Sequence, residues 1–163
     1  MNLKLHLKTT LCKGAGQQIN HPKTFDNLYA SAKAILNPWQ LSESAESGGV
    51  AAALLTKSGN IYLGVCIDTA CSMGFCAEHS AAASMITAKE NHVVKMIAVD
   101  WDGRIMPPCG RCREFISQLH DENLNAEVMV AKEVVVALND LLPHDWRAAG
   151  RVSNVAEEYV YKT

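Results

Sequence analysis

The chain has 163 residues, 48% of them hydrophobic, and a formal net charge of −2 at neutral pH. That length suits one α/β domain with a substantial core and is short for two. Lys and Arg are scattered and form no basic stripe, which argues against a nucleic acid polymer as partner. No apolar run approaches the roughly 18 residues that span a bilayer, so the expected partner is a small molecule and not a membrane.

Residues 1–24 read as an N-terminal extension. "MNLKLHLKTT" alternates apolar and polar residues as a short strand would, and the turn-rich "CKGAGQQINHP" follows it. The opening lacks the continuous apolar core of a signal peptide, so cytoplasmic residence is expected. In "FDNLYASAKAIL", Phe25, Leu28, Ala32, Ile35 and Leu36 recur at helical spacing, and "NP" at 37–38 ends the helix. "WQLSESAESGG" reads as a loop. "VAAALLTK" and "IYLGVCI" flank "SGN", a strand–turn–strand signal.

A helix is predicted over 76–90 and a β-branched strand over 93–100. After the turn-like "DGRIMPP", a second helix opens at Cys109 and runs through "CGRCREFISQL". "AEVMVA" at 126–131 reads as the next strand. "VVVALNDLLP" at 134–143 holds a short fifth strand or turn, then a helical turn ended by Pro143. The order β-β-α-β-α-β predicts a mixed sheet with helices packed on it. Residues 147–163 read as a tail, either a short helix or an oligomer contact.

Six cysteines, Cys12, Cys66, Cys71, Cys76, Cys109 and Cys112, in a chain without a secretion signal point to metal or thiol chemistry. Two helix starts concentrate that chemistry. Cys109 and Cys112 are three apart, so both thiols face one way on one turn. Cys76 opens the other helix. Helix N-termini carry unpaired N–H groups and partial positive charge, which favour thiolate over thiol. Two such termini can offer three thiolates to one metal, and zinc suits that donor set.

Three protein ligands leave one tetrahedral position for water, whose pKa zinc lowers to about 7. Glu78 follows Cys76 within the same turn. It can sit beside that water without binding the metal and move its proton. A closed structural zinc site is the competing reading. It requires a fourth ligand, from Cys66, Cys71 or His79. Otherwise Cys12 and Cys66 read as small hydrophobes or surface thiols, and His6, His21, His92, His120 and His144 as solvated or capping residues.

The pair "CAE" at 76–78 and "PCGRC" at 108–112 resembles the signature of the zinc deaminases. "VAAALLTKSGNIYLGVCID" and "LNDLLPHDW" also look like the central hairpin and tail of cytidine deaminases, so the resemblance covers residues 25–146, the expected catalytic domain. "PCGRCREFI" is similar to blasticidin S deaminase, a relative in the same fold. The resemblance implies a three-layer α/β/α cytidine-deaminase-like fold with a mixed, roughly five-stranded sheet. It implies one Zn2+ per chain, held by Cys76, Cys109 and Cys112, with Glu78 as proton shuttle.

The implied reaction is hydrolytic removal of an exocyclic amine, as ammonia, from a small cytosine-like nucleoside or heterocycle. The backbone at Ala77 would contact the ring, and the carbonyl of Pro108 or Pro107 would accept from the leaving amine. The family implies a homo-oligomer, with a tetramer favoured over a dimer.

The resemblance has gaps. Where cytidine deaminases often carry Arg after the C-A-E, this chain has His79. A thiolate-neutralising donor is therefore expected from His79, Arg111 or Arg113. Where the family holds the ribose with N-x-E, this chain has Cys66 and Asp68. Where the family places an aromatic before the first central strand, it has Gly48. The metal and proton residues match while the sugar clamp is rewritten. The substrate is thus cytidine or deoxycytidine, a blasticidin-type drug, a modified nucleoside or a free base.

Overall fold

A computed structural model describes residues 24–149. The strand expected near the N-terminus lies outside the described residues, as do the rest of the extension before Thr24 and the tail beyond 149. The elements run α1 (Phe25–Ala34), β1 (Trp39–Ser42), β2 (Ala45–Thr56), β3 (Ile61–Thr69), α2 (Ala77–Thr87), β4 (Val93–Asp100), β5 (Ile105–Met106), α3 (Gly110–Leu119), β6 (Glu127–Ala131) and β7 (Val134–Ala137). A short 3-10 turn at Leu138–Leu141 follows β7.

Ala51–Leu55 of β2 pair with β3 on one edge and with β4 on the other, both antiparallel. β4 then pairs parallel with β6, and β6 antiparallel with β7. The main sheet is therefore mixed and five-stranded, in the order β3-β2-β4-β6-β7, with short β1 and β5 added along β2 and β4.

Strand alternation divides the core into two faces. Ala51, Ala53, Leu55, Ile97 and Val99 meet Leu28 and Ala32 of α1. Leu54, Met96 and Val128 meet Ala81, Ala82 and Met85 of α2 and Ile116 of α3. The result is the expected α/β/α sandwich. Among the described residues no helix is long and apolar enough to cross a membrane.

One expectation is corrected. "WQLSESAESGG" is not a loop but a hairpin, made by β1 and the first part of β2, with Trp39 opposite Ser47 and Gln40 opposite Glu46. β1 shows no apolar alternation because every residue of it is exposed, and the part of β2 it pairs with runs through Glu46, Ser47 and Gly48, which carry no apolar side chain. Pairing with β2 makes it a strand. Gly48 sits here at φ +82°, and a Cβ on it would lie 2.2 Å from the Asn37 carbonyl oxygen. Backbone packing thus excludes an aromatic side chain at this position.

Candidate active site

Two helix starts converge at one end of the sheet. The first is set by β3. Phe75 and Ile67 exchange backbone hydrogen bonds of 2.8 and 3.0 Å, which deliver the chain to Cys76, the extended N-cap of α2. Directly beneath, Gly64 lets α2 lie on β3. A Cβ there would be 2.2 Å from the Ala81 nitrogen and 2.6 Å from the Ala77 oxygen.

The second start follows β5 and the two prolines. Cys109 is the extended N-cap of α3. Arg113 holds this approach, donating from Nε to the Pro108 carbonyl at 2.7 Å and from Nη1 to the Leu141 carbonyl at 3.3 Å.

The sulfurs of Cys76, Cys109 and Cys112 all lie within 4.8 Å of one another. Cys76 and Cys109 are 3.6 Å apart, and Cys109 and Cys112 are 3.4 Å apart. Tetrahedral zinc with sulfurs at about 2.3 Å places them about 3.8 Å from each other, so the spacing fits that ion. Cys66, Cys71 and His79 are not part of the group. The described residues thus bring together three ligands and no fourth.

The electrostatics agree with a cationic occupant. Burial pushes the Cys112 thiol up, and the neighbouring Glu78 carboxylate, Cys109 and Cys76 push it further. Burial also pushes Cys76 up, with Cys109 and Glu78 opposing its charge. Burial raises Cys109 too. There, however, the backbone N–H of Cys112 and hydrogen bonds with the other two thiols outweigh it, and the net shift is downward. Such a cluster cannot carry three negative charges beside a carboxylate unless a cation shares the space.

Glu78 is only 4% exposed and lines the same cavity. Burial pushes its carboxyl up, while its own backbone N–H and the Cys112 thiol draw it partly down.

The cavity holds about 270 Å³. Ala77, Cys66, Asp68 and Arg111 line it together with Cys76, Cys109 and Glu78. Pro108 does not line it. Pro108 is buried, its carbonyl accepts from Arg113, and Pro107 stands at the cavity wall instead.

Of the three expected donors to a thiolate, His79 reaches one: its Nδ1 lies 3.5 Å from the Cys112 sulfur. Arg111 is directed to the Gly74 carbonyl at 3.5 Å, and Arg113 to the two carbonyls named above. Cys66 accepts from the Val50 N–H at 3.3 Å. Burial pushes its thiol up, and contact with Asp68 adds to the shift. Phe75 and Met106 complete the wall. Only their places beside Cys76 and the prolines could have marked them in the sequence.

An α/β/α domain with three clustered cysteines that could hold a metal, beside a buried carboxylate, is the class that fold and site define. A cytidine deaminase from Halalkalibacterium halodurans is 38% identical over 72 residues, 43% of this chain and 54% of that protein. The match thus spans about half the length of this curated relative.

The solved structure of cytidine deaminase from Mycobacterium leprae aligns with a TM-score of 0.64 at 25% identity, covering 76% of this chain and 100% of that one. That of cytidine deaminase from Burkholderia pseudomallei aligns with a TM-score of 0.60 at 26% identity, covering 74% and 98%. No protein-family model matches the chain. The chain is cytidine-deaminase-like in sequence and fold.

Proposed function

We propose that this protein is a zinc-dependent hydrolytic deaminase that releases ammonia from a small cytosine-like nucleoside or heterocycle. The observation that carries the reading is the convergence of three thiol sulfurs, from two helix starts, on a cavity that also holds the buried Glu78 carboxyl. A zinc ion held by Cys76, Cys109 and Cys112 supplies Lewis acidity and, from water, a nucleophile at neutral pH.

The chain's own residues do the rest. Glu78 takes a proton from the attacking water. It delivers that proton to the ring nitrogen, then takes a second from the hydroxyl added to the ring carbon and passes it to the departing amine, which leaves as ammonia as the C–N bond breaks. The Ala77 backbone and the wall at Pro107 orient the ring, with Pro107 better placed than Pro108 to accept from the amine. Cys66 and Asp68 face the part of the substrate that does not react. His79 hydrogen-bonds the Cys112 sulfur and offsets the surplus negative charge of three thiolates.

A structural zinc protein without catalysis is the second reading. It is disfavoured because the cluster lacks a fourth ligand among the described residues. A soluble homo-oligomer acting in the cytoplasm is part of the proposal, on the family resemblance. The test is ammonia release from a panel of cytidine, deoxycytidine, cytosine, blasticidin S and aminopurines by zinc-loaded protein. Turnover of at least one cytosine-type compound is expected. If the whole panel is inert with zinc bound, the reading fails.

A further inference from the structure

One wall of the catalytic cavity is held from the opposite face of the sheet. β6 pairs with β4 as far as Ile97, and β5 takes over that edge of β4 at Ala98. β5 has only two residues, and strand alternation sends their side chains to opposite faces. Ile105 packs with the α1 cluster, whereas Met106 lines the catalytic cavity together with Pro107. Among the described residues no side chain of α1 lines that cavity.

Two clamps hold the segment that carries this wall. At one end Arg113 donates to the Pro108 carbonyl, as described above. At the other, Tyr29 of α1 donates its hydroxyl to the Gly103 carbonyl at 2.9 Å. Gly103 belongs to a stiff turn. It stands at φ +78°, its N–H donates to the Asp100 carbonyl at 2.7 Å, and the Asp100 carboxylate accepts from the N–H groups of Asp102 and Arg104. α1 is itself anchored by Leu28 and Ala32, both fully buried.

Between the clamps, the α1 side of β5 is not filled. A hollow of about 640 Å³ lies there, lined by Phe25, Tyr29, Gly103, Ile105 and Met129 among others. With two ladder pairs to β4 and a hollow beside Ile105, β5 depends on the Tyr29 hydroxyl for its tie to the helix. Pro107 and Pro108 have fixed φ, so a shift of β5 passes on to the cavity wall and is not absorbed before it.

We propose that Tyr29 is a positioning residue for the reaction. Its hydroxyl, acting through Gly103 and β5, holds Met106 and Pro107 where they wall the catalytic cavity on the side of the departing amine. The proposal rests on the deaminase reading above.

Tyr29→Phe keeps the ring and removes only the hydroxyl. The zinc-loaded variant should retain one zinc per chain and lose about tenfold in kcat on a cytosine-type substrate, with KM changed by less than about twofold. The same compound with methoxy in place of the exocyclic amine releases methanol and offers no N–H to the wall, so its kcat should fall by less than about threefold. Tyr62→Phe is the control. It loses a hydroxyl bonded to the Glu90 carboxylate at 2.8 Å, at the end of β3 away from the metal cluster, and should leave both rates at wild type. Unchanged kcat in Tyr29→Phe overturns the proposal. So does an equal loss for the amine and methoxy compounds, or an equal loss in the two tyrosine variants.

Amide hydrogen exchange on the zinc-loaded full chain separates these outcomes from failure of the deaminase reading. In Tyr29→Phe the amides of 103–106 should exchange about fivefold faster than in wild type, with those of α2 unchanged. If wild-type protein is inert on every compound, the deaminase reading fails and exchange alone decides. Faster exchange confined to 103–106 keeps Tyr29 as the residue that holds the cavity wall, and unchanged exchange overturns it.

Discussion

The Nδ1 of His79 lies 3.5 Å from the Cys112 sulfur, and the imidazole stacks on Phe115 with centroids 4.4 Å apart and planes 12° from parallel. Stacking on Phe115 holds the ring with Nδ1 beside the sulfur. Burial, then the charge of Arg111, lowers His79, which favours the neutral imidazole, and a neutral ring protonated on Nδ1 can donate to a thiolate at Cys112. Removing such a donor lowers metal affinity by about 10- to 100-fold in comparable sites. His79→Ala should therefore bind zinc more weakly by that factor, read by competition with a chromophoric chelator. Equal affinities in variant and wild type would show that the contact does not matter to the metal.

Glu78 tests the chemistry apart from the metal. It is not among the three clustered cysteines, and it lines the cavity together with Ala77, Cys66 and Asp68. Glu78→Gln and Glu78→Ala should retain one zinc per chain by elemental analysis and lose about 10²- to 10⁴-fold in ammonia release. Wild-type turnover in either variant would assign the protons elsewhere, and loss of zinc would make the carboxylate a structural part of the metal site.

Two glycines make opposite predictions about stability. At Gly64 a methyl group would strike the backbone of α2 at 2.2 and 2.6 Å. A helix backbone cannot yield locally, so Gly64→Ala should destabilise by about 3 kcal/mol and weaken zinc binding, because α2 begins at the metal site. At Gly110, in the first turn of α3, a Cβ meets nothing within 4 Å. Gly110→Ala should be neutral or stabilise by up to about 1 kcal/mol. Thermal denaturation of the metal-loaded variants distinguishes them, and a Gly64→Ala protein melting with wild type would refute the close helix–strand approach.

Asp100 gives a pH dependence. Burial pushes its carboxyl up. The Arg104 backbone N–H, the Arg104 guanidinium and the Asp102 N–H outweigh that, and the net shift is downward. A carboxyl lowered by folding stabilises the folded state above its unfolded pKa of about 4, and that contribution disappears as pH falls through the lower folded value. The melting temperature should therefore fall on acidification below about pH 4. Asp100→Asn should flatten that part of the curve while lowering stability at neutral pH. An Asp100→Asn curve parallel to wild type across this range would mean that the turn does not depend on the charge.

Local spacing made much of this protein legible before its fold. Cys109 and Cys112 lie on one turn whatever surrounds them, and Glu78 shares a turn with Cys76. The apolar runs of β2 and β4 alternate between two buried faces, so they announce strands within a sandwich. Tertiary structure decided what depends on residues far apart in the chain. Trp39–Ser42 became a strand because β2 offered an edge, although its own residues are exposed. His79, Arg111 and Arg113 were equivalent as donors until Phe115 fixed the imidazole beside Cys112, while the carbonyls of Gly74, Pro108 and Leu141 engaged the two arginines. The same Arg113 contact separated Pro108 from Pro107. Periodicity records which face a residue shares with its neighbours in sequence; it holds no record of which distant carbonyl, ring or strand edge will meet it when the sheet closes.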